Sequence, residues 1–275
     1  MLKIVIPARF ASTRLPGKAL LPLAGKPLVQ WVYERACAAL TGEIRKGGAG
    51  VGEMAGEVLI ATDDERIASA ARAFGASVVE TSAHCASGTD RIAEVAHLRG
   101  WDARQIVVNA QGDEPLLPPA LIRQVAELLR VNAQADIATL AVPISSMAEF
   151  MDTNAVKVVA DGQGRALYFS RAPIPWQRDG ASGELSTQTR WDGARRHVGL
   201  YAYRVGALQR LAALPPSNLE VAEKLEQLRA LEAGMEIRVA DCCEVPGPDV
   251  NTPTDLVRVA AMLGAGDTRA RVQGG

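Results

Sequence analysis

Residues 2–18 of the chain read LKIVIPARFASTRLPGK, an apolar run followed by a loop that carries three cations. The apolar run, Leu2 to Ile6, predicts a buried β-strand. A helical pattern begins near Lys26 and continues to about Leu40, so the loop leaves the carboxyl end of a strand and precedes a helix. Open α/β sheets bind their ligands at that edge.

The cations Arg9, Arg14 and Lys18 stand among small residues in this loop. Small residues such as Ala8 and Ser12 let backbone N–H groups approach phosphate oxygens, and the cations neutralise the phosphate charge. The Walker pattern G-x-x-x-x-G-K-[ST] does not occur here. The loop therefore predicts a polyphosphate site of another kind, with a solvated basic turn as the alternative.

Strands and helices alternate through the first half of the chain. We predict strands at 58–61, 77–80 and 105–109, each followed by a helix, at 64–74, 89–98 and 119–131. This order predicts an α/β fold with a doubly wound, mainly parallel sheet. In the second half we predict strands at 155–160, 166–169 and 197–203, which either extend the sheet or form a small subdomain, and helices at 219–233 and 252–263. Loops are predicted at 41–56, which is rich in glycine, and at 178–194, and a disordered tail at 264–275.

Composition excludes several classes of protein. Hydrophobic residues make up 48% of the 275 residues and charged residues 22%, and 30 Lys and Arg balance 31 Asp and Glu to a net charge of −1. No global field attracts a nucleic acid, and no apolar stretch approaches the roughly 20 residues that span a membrane. With no signal peptide recognised, the sequence predicts a cytoplasmic protein. Its four cysteines lack paired metal-ligand spacing, so we expect reduced thiols rather than a zinc site.

Many segments resemble one enzyme family in the same order along the chain. In the first half they are PARFASTRLPGKAL at 7–20, AGKPLVQWV at 24–32, SGTDRIAEV at 87–95, VVNAQGDEP at 107–115 and ATLAVPI at 138–144. In the second half they are NAVKVV at 154–159, ALYFSRAPIPW at 166–176, HVGLYAYR at 197–204, LEQLRAL at 225–231, EVPG at 244–247 and NTPTDLVRV at 251–259. Together these segments resemble the 3-deoxy-manno-octulosonate cytidylyltransferases, also called CMP-Kdo synthetases. The CMP-sialic acid synthetases, which share only the general plan of the first loop, are the nearest rival.

The resemblance implies an activity and an architecture. It implies a magnesium-dependent nucleotidyltransferase that joins CTP to 3-deoxy-D-manno-octulosonate (Kdo), releasing CMP-Kdo and pyrophosphate for lipopolysaccharide biosynthesis. It implies the fold of the nucleotide-diphospho-sugar transferases, as one domain over 1–263 whose nucleotide-binding half covers about 1–145. A small β-rich subdomain over about 146–215 would hold the sugar acid and make the contacts of a homodimer.

The residues suggest a role for several side chains. Asp113 follows a predicted strand and reaches the same sheet edge as the first loop, which makes it the first candidate ligand for Mg²⁺. Arg9, Arg14 and Lys18 are candidates to stabilise the leaving diphosphate. Gln111 is a candidate to read the base or to hold the sugar acid.

The resemblance adds further candidates. Ser87, Gly88 and Arg91 lie at a predicted helix start, where Ser87 or Thr89 is able to cap, and the resemblance adds a contact to cytosine and ribose there. For the sugar acid it points, besides Gln111, to Arg171, His197, Tyr201, Glu223, Glu226 and Gln227. The competing interpretation of the glutamates is a solvated helix face with an ion pair between Glu220 and Lys224.

The chain departs from the family near its end. The family pattern V-D-T-P-E-D is here VNTPTD at 250–255, so Asn251 replaces the expected metal-binding carboxylate. An amide oxygen still binds magnesium, with lower affinity. Asp249 is the alternative ligand, and Asn251 as a simple helix cap is the other. The alternative functions are a synthetase for another sugar acid, sialic acid or an amino-Kdo analogue, and a catalytically silent nucleotide-binding module.

Overall fold

The structure, a computed structural model, describes residues 1–11, 15–41, 54–180 and 187–272. Its strands are β1 Leu2–Pro7, β2 Pro22–Leu23, β3 Lys26–Pro27, β4 Gly56–Thr62, β5 Ser77–Glu80, β6 Ile106–Asn109, β7 Ile137–Pro143, β8 Lys157–Ala160, β9 Ala166–Ser170, β10 Arg195–Arg204 and β11 Ile237–Asp241. Its α-helices are α1 Leu28–Thr41, α2 Glu65–Ala73, α3 Gly88–Leu98, α4 Pro119–Val131, α5 Met147–Met151, α6 Val205–Ala213, α7 Asn218–Glu223, α8 Gln227–Glu232 and α9 Pro253–Val272.

One mixed sheet organises the described chain. Its strands follow the order β11-β7-β10-β6-β1-β4-β5, and β8 and β9 extend from the start of β10. The pairs β1 with β4, β1 with β6, β4 with β5 and β11 with β7 are parallel, whereas β10 is antiparallel to both of its neighbours in that order. The prediction of an α/β fold with a mainly parallel sheet is therefore confirmed.

Both faces of the sheet are covered, which explains the continuous apolar runs of its strands. In β1, Ile4 and Ile6 pack into one core with helices α1 and α4, while Val5 packs into the other core with α3 and α6. Alternation along a strand sends neighbouring side chains to opposite faces. The first strand is therefore apolar throughout, because neither face meets water.

One strand of the second half extends the main sheet, which is the first of its two predicted placements. Strand β10 lies between β7 and β6. Its side chains explain this, since Leu200 and Ala202 pack into one core and Tyr201 and Tyr203 into the other. Only β8 and β9 form a small antiparallel extension, which reaches the sheet through two residues of β10.

Two predicted helices have different ends in the structure. The predicted helix over 219–233 is split into α7 and α8, because Lys224 adopts a left-handed conformation with a φ of 54°. Helix α9 continues to Val272, so the predicted tail is helical over 264–272 and only 273–275 lie outside the described residues. Gly264 and Gly266, at the start of the predicted tail, each lower helix stability by roughly 1 kcal/mol relative to alanine. The residues that follow them are compatible with a helix.

Parts of the predicted loops lie outside the described residues. Of the glycine-rich segment 41–56, residues 42–53 are not described, and the predicted loop 178–194 is described except for 181–186. The four cysteines are free thiols, as predicted. Within the described ranges, no helix has the length and apolar character needed to cross a membrane.

Candidate active site

Three loops meet at the carboxyl ends of β1, β5 and β6. Gly112 makes the approach possible, because a Cβ there would lie 2.9 Å from the carbonyl oxygen of Pro7. Ser87 caps helix α3 in a capping box with Asp90, as the sequence predicted for this helix start. The amino end of α3 thus points its free N–H groups at the same cleft, a favourable place for an anion.

The first cavity, of about 390 Å³, lies between these loops. Nine of the predicted residues line it: Ala8, Arg9, Lys18, Ser87, Gly88, Arg91, Gln111, Asp113 and Asn251. Three of the nine are cations, and Asp113 is the one carboxylate among them. A cleft with this charge suits a polyphosphate. Ser12 and Arg14, also predicted for this site, lie outside the described residues.

Lys18 sits at the junction of the first loop and the carboxyl-terminal segment. Its Nζ donates to Asp113 Oδ2 at 2.7 Å, to the carbonyl oxygen of Val250 at 3.0 Å and to Asn251 Oδ1 at 3.2 Å. The two predicted metal ligands therefore face the same point, and a cation already occupies it. Asp249 supports this arrangement by accepting a hydrogen bond from Asn251 Nδ2.

Asn251 does not cap helix α9. Thr252 and Asp255 cap the start of that helix instead. Asp255 N donates to Thr252 Oγ1 at 3.2 Å, and Thr252 N donates to Asp255 Oδ2 at 2.9 Å. The Asn251 side chain is thereby left to turn toward Lys18. The alternative of a simple helix cap is wrong for this residue.

Arg91 is held from two sides. Its side chain is 4% exposed, its Nη1 donates to Thr81 Oγ1 at 2.5 Å, and its Nη2 lies 3.3 Å from Asp63 Oδ1. Neither Thr81 nor Asp63 was predicted from the sequence. A buried arginine fixed in this way presents a rigid donor group to the first cavity.

A second cavity, of about 270 Å³, adjoins the first. Five predicted sugar-acid residues line it: Gln111, His197, Tyr201, Glu226 and Gln227. Lys224 ends α7, and Glu226 lies between that residue and the start of α8. The Glu226 carboxylate accepts hydrogen bonds from Ser87 Oγ at 3.3 Å and from Thr89 Oγ1 at 3.0 Å. Burial raises the pKa of Glu226, although the hydrogen bond from Thr89 opposes the shift.

Arg171 and Glu223 bond each other and do not line the cavities. Arg171 Nε donates to the carbonyl oxygen of Glu223 at 2.7 Å, and the Glu223 carboxylate accepts from Arg171 N and from Ser170 Oγ. Neither lines any of the three cavities described here. They join α7 to the end of β9, so the structure does not place these two predicted residues with the others. Glu220, expected to pair with Lys224, pairs with Arg229 at 2.6 Å.

Asn109 is a lining residue that the sequence did not single out. It ends strand β6, is 5% exposed and lines the second cavity. Its Oδ1 is buried without a hydrogen-bond partner among the described residues. A buried oxygen without a hydrogen-bond partner is costly in a folded protein. The polar residue at the end of the apolar run IVVN was the available signal.

A third cavity, of about 310 Å³, opens beside the second. Its walls include Asp113, Glu114 and Asp249 together with Arg196. Burial raises the pKa of Glu114 to about 8, and the charges of Asp113 and Asp249 add to the rise. Gln111 lines all three cavities, and its Nε2 donates to the carbonyl oxygen of Gly199 at 3.0 Å. A Cβ at Gly199 would lie 3.3 Å from that nitrogen, so glycine leaves Gln111 its place.

His197 is neutral in the folded protein. Burial lowers its pKa from 6.5 to about 3, and the neighbouring Arg196 adds to the effect. The ring therefore offers no positive charge to a sugar carboxylate. Its edge-to-face contact with Phe169 and its contact with Tyr201, at centroid distances of 5.1 and 5.2 Å, hold the ring in place.

This pKa predicts a pH dependence of stability. Between about pH 3 and 6.5 the unfolded chain binds a proton at His197 that the folded protein does not, so the free energy of unfolding should rise with pH in this range. Denaturant titrations at several pH values should show a smaller rise for His197→Gln than for the natural protein. His84→Gln, a change at an exposed histidine, is the matched control. Parallel pH profiles for His197→Gln and the natural protein would contradict the buried neutral ring.

Comparison with known proteins identifies the family of the chain. A family model for cytidylyltransferases matches residues 3–237. The 3-deoxy-manno-octulosonate cytidylyltransferase of Thioalkalivibrio sulfidiphilus is 52% identical over 263 residues, covering 96% of this chain and 99% of that protein. The chain belongs to the 3-deoxy-manno-octulosonate cytidylyltransferase family. The enzyme of the same name from Cellvibrio japonicus is 51% identical over 265 residues and covers 96% of this chain and 98% of the relative.

A solved structure extends the family likeness to the fold. The structure of a CMP:2-keto-3-deoxy-manno-octonic acid synthetase in complex with CTP superposes with a TM-score of 0.81 at 41% identity, over 96% of this chain and 98% of that one. The resemblance to this cytidylyltransferase family predicted from the sequence is confirmed. So is the fold class, an α/β fold built on a mainly parallel sheet.

Proposed function

We propose that the protein transfers CMP from CTP to Kdo and releases pyrophosphate. The observation that carries this proposal is the position of Gln111, which lines both the first and the second cavity. A nucleotide and an acceptor bound in these two spaces meet at one side chain. The family of the chain and the CTP complex of a related synthetase support the same assignment.

The first cavity, with its three cations, would hold the nucleotide. Arg9 and Lys18 supply positive charge for the triphosphate, and the amino end of α3 supplies backbone N–H groups beside Ser87 and Gly88. Arg91 presents its fixed guanidinium to the same space. These groups neutralise the charge that the leaving pyrophosphate gains when it departs.

The second cavity would hold the sugar acid. Its walls offer hydroxyl groups from Tyr201 and Tyr203, the carboxylate of Glu226 and the amides of Gln111 and Asn109. Burial raises the pKa of Tyr201 well above 10, so this hydroxyl stays a hydrogen-bond donor. Asn109 Oδ1 is without a partner among the described residues, and a hydroxyl group of a ligand would donate to it.

The reaction follows from this placement. The anomeric hydroxyl oxygen of Kdo attacks the α-phosphorus of CTP, and its bond to that phosphorus forms as the bond from the α-phosphorus to the bridging oxygen of the β-phosphate breaks. The hydroxyl proton is released to solvent, and the electron pair of the broken bond leaves with pyrophosphate. The protein contributes by positioning both substrates and by stabilising charge.

The residues around Lys18 fit a magnesium ion. Asp113 Oδ2, Asn251 Oδ1 and the Val250 carbonyl lie within 3.2 Å of one cationic nitrogen, and all three are the hard oxygen donors that magnesium prefers. Asp113 and Asn251 would hold the ion once the Lys18 ammonium group releases their oxygens and turns to a phosphate, with phosphate oxygens and water as the other ligands. When bound, magnesium would polarise the α-phosphate and offset the charge of the triphosphate.

A prediction follows for Asn251. The natural protein should need more magnesium for half-maximal rate than Asn251→Asp, because the added charge strengthens the metal contact. Magnesium titrations of the natural protein, Asn251→Asp and Asp249→Ala test this. A crippled Asp249→Ala with a neutral or impaired Asn251→Asp would instead assign the metal to Asp249, which now bonds the Asn251 amide. Identical curves for all three proteins would exclude this segment from the metal site.

Substrate choice is tested with a pyrophosphate-release assay over a panel of sugar acids and nucleoside triphosphates. CTP with Kdo should give the highest kcat/KM. Preference for sialic acid or an amino-Kdo analogue would support the second candidate, which the hydroxyl-lined cavity also suits. We further propose that the enzyme works as a homodimer in the cytoplasm and serves lipopolysaccharide biosynthesis, as the family resemblance implies.

A further inference from the structure

Thr139 lies behind the second cavity and contacts the ring of His197. It belongs to β7, is fully buried, and sits where the pairing of β7 with β10 shifts between Val198 and Tyr201. Its Oγ1 lies 2.9 Å from His197 Nε2, 3.0 Å from the carbonyl oxygen of Val198 and 2.8 Å from that of Leu200. One hydroxyl group thus serves three polar atoms.

Counting protons fixes the direction of these bonds. A hydroxyl group donates one proton, and the two carbonyl oxygens are only able to accept it. If His197 Nε2 had no proton, three acceptors would compete for a single hydrogen. If Nε2 carries the proton, it donates to a lone pair of Thr139 Oγ1 and the hydroxyl hydrogen is free for the carbonyls. The second arrangement gives His197 Nε2 an acceptor and leaves the one hydroxyl hydrogen for the two carbonyl oxygens.

The other ring nitrogen of His197 is then an acceptor. The ring is neutral, so a proton on Nε2 leaves Nδ1 bare. Among the described residues no side chain donates to Nδ1, and His197 lines the second and third cavities. An unprotonated nitrogen beside these cavities calls for a donor from a ligand.

We propose that Thr139 is a positioning residue that fixes His197 as the Nε2–H tautomer, so that His197 Nδ1 accepts a hydrogen bond from a hydroxyl group of the sugar acid. The contact to the sugar acid rests on the proposed function, whereas the tautomer does not. A site of this kind discriminates against analogues that lack the hydroxyl, because they would leave Nδ1 without a partner.

The tautomer is measured first, by ¹⁵N NMR of the histidine-labelled protein without ligand near neutral pH. With three histidines in the chain, His197→Gln assigns the signal. We expect a protonated Nε2 and a bare Nδ1 in the natural protein, and this measurement does not depend on the folding of any variant. Thr139→Ser keeps the hydroxyl and should keep this signature, while Thr139→Val should shift the ring toward Nδ1–H. An Nδ1–H ring in the natural protein, or an unchanged ring in Thr139→Val, overturns the proposal.

Steady-state kinetics then test the contact. Thr139→Val should raise KM for Kdo by about 2- to 13-fold, the effect of one neutral hydrogen bond, while KM for CTP stays unchanged. Thr139→Ser should behave as the natural protein. A shifted tautomer with an unchanged KM for Kdo overturns the contact with the sugar acid. Failure of the natural protein to release pyrophosphate would count against the proposed function and would leave the NMR result standing.

Discussion

Asp113→Ala is expected to lower kcat with CTP and Kdo by roughly 100-fold or more, since a contact that holds a metal at the transition state contributes several kcal/mol. Asp113 is the carboxylate of the first cavity, and its Oδ2 faces both Lys18 and the oxygen atoms of the carboxyl-terminal segment. Purified variants are compared at saturating substrates and magnesium. Asp113→Asn keeps the shape of the side chain without its charge. It should recover only a small part of the rate that Asp113→Ala loses.

The fold should survive this change. The backbone carbonyl of Asp113 still accepts from Val250 N at 2.9 Å, and its side-chain ion pair is partly exposed. Glu127→Ala, which removes a carboxylate from an exposed ion pair on α4, is the matched control and should leave the rate unchanged. A folded Asp113→Ala variant with full activity would show that this carboxylate is only structural.

Lys18→Met is expected to lower kcat/KM for CTP by roughly 10- to 150-fold, because hydrogen bonds to charged groups contribute about 1.5–3 kcal/mol. Lys18→Arg keeps the charge and should lose less, although a guanidinium does not replace a compact ammonium group. Lys26→Met is the matched control, since Lys26 pairs with Glu34 and lies over the ring of Trp31, away from the cavity. Steady-state kinetics over a range of CTP concentrations check the expectation.

A double variant separates a role of Lys18 in binding the triphosphate from a role in neutralising Asp113. If Lys18 and Asp113 served only to neutralise each other, the double variant Lys18→Met with Asp113→Ala would regain activity relative to either single variant. We expect no recovery, because each side chain is proposed to contact the reacting triphosphate or its metal. Near-natural activity of Lys18→Met at saturating CTP would make Lys18 a structural cation.

Local signals in the sequence predicted the first half of the fold well. Continuous apolar runs marked β1 and β6, and the Ser87 cap marked the start of α3. The place of β10 was less accessible, because insertion between β7 and β6 depends on pairing with distant strands. Strand patterns report which faces are buried and do not report the neighbour.

Some residues of the site were predictable from the sequence, and others were not. Residues in loops that follow strands, such as Lys18 and Gln111, were predictable because the sheet edge gathers them. Arg171 and Glu223 were not separable from true lining residues, since only the structure shows that they bond each other. Asn109 and Thr139 were missed because each looks like an ordinary polar residue in a strand until its hydrogen-bond partners are known.

CTP and Kdo are proposed to react at the α-phosphorus in the two cavities that share Gln111. ³¹P NMR of the natural protein with CTP, Kdo and magnesium tests this reaction directly. We expect a new phosphodiester signal of CMP-Kdo that grows in equal amounts with pyrophosphate. No phosphodiester product, or the appearance of CDP or orthophosphate in place of pyrophosphate, would contradict it.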